Sequence, residues 1–351
     1  MSKFAIVTDS CADLDAALRQ KYDIDYVNMR YIYDDRDVPA SLDWEFMPYH
    51  DFYDLMRKGV RIKTAQVPDT EYEEKFISYL KKGMDILLIS CSSALSSSFA
   101  AGKKVARDLS EKYPERKILC IDSLNSCMGL GLICMWASHL RCKGMTVEEV
   151  FAEVESHKLC ANQFATVQDL NYLKRAGRVK AAAAFFGGIM QVKPVIISDA
   201  KGQNFAIEKA KGRKASLSRI VELFLESYDK DFYFNDVYVA HADDIAAAEQ
   251  MRAVLREKLG DDVKIEISVI GPIVGASVGP GTVAVYGFGK KSDGKPINCL
   301  FCGCAFSQAA FFMGGKSKIK TKSRAILPDI VDESKRLLYN YFEKNKGWCL
   351  I

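Results

Sequence analysis

The segment ISCSSALSSSF, residues 89–99, places six serines between Ser90 and Ser98. It leaves an apolar run, DILLIS (85–90), and enters a helical pattern around 96–112, so it reads as a strand-to-helix turn. One serine suffices to cap a helix; six exceed that need. Hydroxyl donors, joined by the free N–H groups of the following helix, suit a single anionic oxygen group. No Lys or Arg lies inside the turn, which argues against a polyphosphate clamp. Other strand ends carry similar groups: Thr8-Asp9-Ser10 after FAIV, Ile121-Asp122-Ser123 after KILC, and Thr64-Ala65-Gln66 ahead of a helix near 69–82. Open α/β sheets bind ligands beyond the carboxyl ends of their strands, where these turns fall.

A second stretch invites a different chemistry. GPIVGASVGPG (271–281) contains Gly275-Ala276-Ser277-Val278-Gly279, which matches the G-x-S-x-G nucleophile elbow. An elbow needs a strand, a sharp turn and then a helix, with triad order Ser, Asp/Glu, His. Pro280 between glycines, then the apolar run TVAVYGFG, is a poor helix start after Ser277. The chain's histidines, His50, His139, His157 and His241, all precede Ser277. A lipid or acyl-ester hydrolase using Ser277 is therefore the alternative reading, and no catalytic residue is assigned.

Three other motifs carry less. Gly315-Lys316-Ser317 imitates a phosphate-binding loop, but its first glycine is missing and KSKIKTKSR alternates like a strand. Cys299, Cys302 and Cys304 lack a second pair at metal-ligand spacing, so no metal site is expected. Lys316, Lys318, Lys320, Lys322 and Arg324 put cations on one face of a strand, a solvated edge or a docking face for an acidic partner.

The elements behind these motifs alternate. FAIVTDS (4–10), DILLIS and KILCIDS (117–123) are buried-strand runs, with helices at 12–22, near 96–112 and near 127–142. That pattern predicts a mostly parallel sheet with helices on both faces. Thr146-Val147-Glu148-Glu149 is a capping box opening another helix. Beyond residue 160, strand-like QFATVQDL, KPVIIS, DVYVAHAD, KIEISVIG and TVAVYGFG alternate with helices near 169–176, 216–228 and 245–259. The expected fold is α/β with two α/β domains, 1–160 and 161–290. A basic C-terminal extension, 291–351, is expected to pack on the body.

The 351-residue chain carries a net charge of +4, too small to argue for nucleic acid. Residues 291–351 hold +6 of it, which leaves −2 on the rest. No apolar stretch reaches the length of a membrane span, and MSKFAIVTDS runs into a strand without an apolar signal region. A cytoplasmic protein is expected, its eleven cysteines reduced.

Eight motifs in order give the sequence a specific likeness: IVTDSCADL (6–14), TAQ (64–66), ISCSSALSSSF (89–99), IDSLNSCMGLG (121–131), LNYLKRAGRV (170–179), KPVI (193–196), KAKGRK (209–214) and IGPIVGASVGPG (270–281). They resemble the DegV family of fatty-acid-binding proteins across about residues 3–290. The resemblance implies two α/β domains with a long-chain fatty acid, such as palmitate, stearate or oleate, in an apolar tunnel between them. It implies that Thr64 and Ser96, with Ser92 and Ser93 beside them, hold the carboxyl group. No cofactor is implied. Some members are the acyl-carrying subunit of a bacterial fatty acid kinase, a role in phospholipid metabolism. They present the carboxyl group to a separate ATP-binding subunit, and are not enzymes by themselves. Arg178, Lys211 and Arg213 are the expected contacts with that partner. The chain departs from the family at Thr64-Ala65-Gln66-Val67, where T-S-Q-P is usual. It departs again at Ser277, where a carboxyl-holding histidine is common; Ser277 is expected on a Gly-Pro-Gly turn at the mouth of the site. A further alternative ligand is another small carboxylate, such as a polyketide or bile acid.

Overall fold

In the computed structural model the described residues are 4–180 and 192–291, all within one compact unit, residues 1–299. The first sheet is parallel throughout. Its strands are β1 (Phe4–Asp9), β2 (Ile24–Val27), β6 (Asp85–Ser90) and β7 (Ile118–Asp122), in the order β2-β1-β6-β7. β1 and β6 are buried along their whole length, as strands covered on both faces must be. The covering helices are α3 (Asp69–Leu80), α4 (Ser98–Lys112), α5 (Cys127–Cys142) and α6 (Val147–His157). The capping box at Thr146 forms: Thr146 Oγ1 accepts from Glu149 N–H, and Glu149 accepts from Thr146 N–H.

The second sheet is mixed and has seven strands: β8 (Ala161–Thr166), β9 (Val179–Lys180), β10 (Val192–Ser198), β11 (Asn204–Lys211), β12 (Val237–His241), β13 (Ile265–Val269) and β14 (Val283–Phe288). Its strands sort side chains by alternation. Val237 and Val239 of β12, with Val283 and Val285 of β14, face a core built with α8 (Arg213–Ser227) and α9 (Ile245–Leu259). Tyr238, Ala240, Ala284 and Tyr286 face the other way, into the core shared with the first sheet. α5 lies between the two sheets and packs on both. Of its 16 residues, all but His139, Arg141 and Cys142 are buried.

A third, antiparallel sheet, which the sequence does not announce, joins β3 (Arg30–Tyr33), β4 (Arg36–Pro39) and β5 (Lys63–Ala65) in the order β4-β3-β5. Three helices complete the site's surroundings: α2 (Tyr49–Arg57), α7 (Leu170–Ala176) and α10 (Pro272–Val278). α10 packs on α7, α2, β3 and β5. It was not expected either. Ser277 therefore stands in the last turn of a helix, not on the Gly-Pro-Gly turn itself, which follows it. Among the described residues no helix is long and apolar enough to cross a membrane. The glycine-lysine motif, the cysteines at 299–304, the lysine strand and the packing of 291–351 lie outside the described residues.

Candidate functional site

A cavity of about 370 Å³ opens beyond the carboxyl ends of β1 and β6. Its lining combines apolar residues, Met29, Leu95, Ile273, Val274 and Val278, with several hydroxyl-bearing ones. Thr64 comes from β5, Ser93 and Ser96 from the serine turn, and Ser277 from α10. Four of the five residues expected to hold a carboxyl group thus meet at one cavity. Among the described residues no Asp or Glu lines it, and Arg178 is its one charged wall residue. α4 points its N-terminus here, with Ser97 as N-cap and no acidic residue in its first turn. The helix dipole and free N–H groups favour an anion at that end.

The turn is held by hydrogen bonds that begin at one carboxylate. Asp9, fully buried, accepts from Ser90 Oγ (2.6 Å), Cys91 N–H (2.8 Å) and Cys11 N–H (3.0 Å), and so ties the ends of β1 and β6 together. Burial raises its pKa against the lowering effect of these donors. Asp122 Oδ1 accepts from Ser93 N–H (3.1 Å) and fixes the outer part of the turn. Ser98 Oγ lies 3.0 Å from Ser96 Oγ and accepts from Val67 N–H (3.2 Å), which brings the segment after β5 against α4. Thr64, three residues before Val67, lines the same cavity as Ser93 and Ser96.

Two expectations need correction. Ser92 does not line the cavity. It is fully buried, and its hydroxyl donates to Gly202 O (2.8 Å) in the turn between β10 and β11. Arg213 is spent inside the fold: its Nη2 donates to Asp244 Oδ2 (2.8 Å) and to Gly281 O (2.6 Å). Of the three expected partner contacts Arg178 lines the cavity, while Lys211 ends β11 as an exposed residue outside its lining. The nucleophile elbow is also absent. Ser277 follows the end of β13 by most of α10, whereas an elbow serine sits at the strand-to-helix turn. Among the described residues no histidine lines the cavity, and His241 Nδ1 accepts from Asp244 N–H (3.2 Å).

Ser126 was missed. It caps α5 without a side-chain capping bond, is buried, and belongs to the cavity lining. The available signal was its place just before the helix in IDSLNSCMGLG. Cys11 and Cys91 also line the wall. The neighbouring Cys11 thiol, then burial, pushes the Cys91 thiol well above its ordinary range. It stays protonated and acts as a small apolar group.

Helix-covered α/β sheets with a hydroxyl-lined cavity at the strand ends place a concave space where such folds commonly hold small ligands. The family model of DegV, an uncharacterised protein family, matches residues 3–289, and the chain belongs to that family. A DegV domain-containing protein of Clostridium perfringens strain 13 is 34% identical over 296 residues, covering 84% of this chain and 100% of that one. The solved structure of DegV from Bacillus subtilis, described as a fatty acid binding protein, is 26% identical, with a TM-score of 0.71 over 83% of this chain and 100% of that one. A DegV family protein of Thermus thermophilus, described by its fatty acid binding, shares the fold at a TM-score of 0.73 and 24% identity, over 82% of this chain and 99% of that one.

Proposed function

We propose that this chain binds a long-chain fatty acid. Its carboxyl group lies among Thr64, Ser93, Ser96 and Ser277 at the N-terminus of α4, and its acyl chain lies along the apolar residues of the lining. The observation that carries this reading is the convergence of hydroxyl-bearing residues, from segments far apart in sequence, on one cavity that no acidic residue lines among the described residues. The fatty-acid-binding Bacillus relative supports it. Burying a sixteen-carbon chain yields roughly 0.8 kcal/mol per methylene, about 12 kcal/mol before the costs of association. One hydrogen bond to a carboxylate adds about 1.5–3 kcal/mol. The tail therefore sets affinity and the hydroxyls set orientation.

On this reading the protein is a cytoplasmic carrier, not a catalyst, built of two α/β halves that divide near residue 160 and share one core. It presents the carboxyl group to a fatty acid kinase subunit, with Arg178 at the mouth as a contact. Native mass spectrometry of the purified protein tests the binding. A fatty acid mass is expected on the protein. A lipid-free protein that also takes up neither palmitate nor oleate would overturn the reading.

A further inference from the structure

Three segments that contribute to the cavity lining also meet around one buried side chain, Asp13. Cys11, a lining residue, lies two residues before it. Cys127 of α5 faces it and follows Ser126, another lining residue. Gly271, the N-cap of α10, packs against it: a Cβ there would lie 2.2 Å from Asp13 Oδ1. Two residues further on, Ile273 begins the contribution of α10 to the cavity. Tyr53 of α2 and Tyr286 of β14 face Asp13 as well, and so does Asp9 at the end of β1. Arg57 and Asp243, paired with each other, stand beyond Tyr53. Asp13 and Cys127 both hold the left-handed backbone conformation, each at φ 52°, which residues other than glycine seldom adopt.

Two buried carboxyl groups thus stand behind the lining, and their surroundings differ. Asp9 accepts from Ser90 Oγ, Cys91 N–H and Cys11 N–H, donors that favour its charged form. Asp13 is 5% exposed, and neither of its oxygens meets a donor in good geometry. A charge is therefore costlier on Asp13, and burial lifts its pKa to about 7. A second negative charge, placed in the cavity, raises that cost again, because like charges repel most where little water screens them. The ligand's own carboxyl group stays ionised, since hydroxyl donors and the α4 N-terminus favour its charged form. Of the three carboxyl groups, Asp13 is the one that yields.

We infer that Asp13 takes up a proton as the acyl carboxylate enters the cavity, so that ligand binding and proton binding are coupled in this chain. The inference rests on the fatty-acid reading for the charge of the ligand. The proton comes from the buffer, and the ligand keeps its charge. The coupling is reciprocal: a bound anion holds the proton on Asp13, and a protonated Asp13 favours the anion. Affinity is therefore full at pH values where Asp13 is protonated in both the free and the loaded protein. It falls as pH rises through about 7. It levels off once Asp13 ionises in the loaded protein as well.

The full chain is stripped of lipid and titrated by calorimetry with myristate and with tetradecanol, an amphiphile of equal length and no charge. Each titration is run at pH 7.5 in two buffers of different ionisation enthalpy, so that the heats count protons. Myristate is expected to bring about half a proton per site into the protein, and tetradecanol none. Myristate affinity should fall about tenfold between pH 6 and pH 9, as one unit of pKa shift requires, while tetradecanol affinity stays flat. Asp13→Asn should bind myristate without proton uptake and with an affinity independent of pH. If that variant fails to fold, infrared difference spectra of the unmodified chain decide, with myristate labelled with carbon-13 at its carboxyl carbon. Loading should then add a protonated carboxyl band at the unlabelled frequency. Such a band at the labelled frequency would put the proton on the ligand and overturn the inference. Equal uptake with both amphiphiles, no uptake with either, or uptake that survives Asp13→Asn would overturn it too, with the fatty-acid reading intact. Absence of binding by both amphiphiles would remove that reading and the coupling with it.

Discussion

Two adjacent serines divide the work of the turn. Ser93 shows its hydroxyl to the cavity, while Ser92 turns its hydroxyl inward to Gly202 O. Ser92→Ala should leave that carbonyl without its donor, at a cost of about 1–3 kcal/mol in stability, with little change in palmitate affinity. Thr64→Ala should do the reverse. Thr64 lines the cavity, and among the described residues its side chain has no hydrogen-bond partner, so its loss should weaken palmitate by about 1–2 kcal/mol at an unchanged melting temperature. Calorimetry and thermal melts on the pair would invert the assignment if the effects came out exchanged. Ser277→Ala should cost about 1 kcal/mol or less, since the tail carries most of the affinity. A fluorophosphonate probe should leave Ser277 unlabelled, because no histidine lines its cavity among the described residues.

The short helix α10 shows what an element of seven residues can be asked to do. It brings Ile273, Val274, Ser277 and Val278 to the cavity, and it is seated through contacts that glycine permits. A Cβ at Gly275 would lie 2.4 Å from the Tyr53 hydroxyl, which itself donates to Ile270 O at 2.6 Å just before the helix. Below the helix start lies Asp13, 5% exposed, with neither carboxyl oxygen in a hydrogen bond of good geometry. The Cys127 thiol, the Gly271 N–H, Asp9, Tyr53 and Tyr286 surround it. Burial pushes its pKa from 3.8 up to about 7. The folded chain thus keeps a proton on Asp13 that the unfolded chain releases near pH 4. Its contribution to stability is complete below about pH 4 and is lost as pH rises through about 7. The melting temperature should fall by about 5 °C or more between pH 5 and pH 8, and Asp13→Asn should flatten that slope. Parallel slopes in the two proteins would mean that Asp13 titrates in its ordinary range. The same helix marks where sequence reading fails. DILLIS and CMGLGLICMWASHLRC reveal β6 and α5 to the residue, because a buried strand and a buried helix are long, unbroken and apolar. PIVGASV has too few residues to show a period and contains both Pro and Gly. The strands β3 to β5 are three or four residues each; β3 and β4 form a tight hairpin, and β5 is defined by pairing with β3, distant in sequence. The serine turn was legible by composition, but which serine faces the ligand depends on Gly202, more than a hundred residues away.

Over the whole molecule, the two sheets share a core through α5. One cluster of buried side chains runs from Phe4, Ile6 and Leu87 through Leu132, Met135 and Trp136 to Tyr238, Tyr286 and Phe288. The face of the second sheet toward α8 and α9 has a core of its own, but its face toward α5 does not. A division near residue 160 is therefore a division of sheets and of ligand-lining segments, with no separate hydrophobic core for the first half. Cutting there would uncover the side of α5 that meets β8 and β14, including Trp136, which stacks edge-on against Phe232 and Phe288. That contiguous apolar face is an association hazard once exposed. Residues 1–160 expressed alone should fail to give a cooperative monomer, showing dye binding typical of exposed apolar surface and early elution in size exclusion. Residues 1–290 should melt in one transition, and palmitate should raise that transition, by about 2.7 kcal/mol of added stability at a hundredfold excess over the dissociation constant. The cavity takes walls from both sides of residue 160, so a ligand that bridges them stabilises only the joined protein. Independent folding of 1–160, with two separable melts in 1–290, would contradict the shared core and restore the picture of two self-sufficient domains.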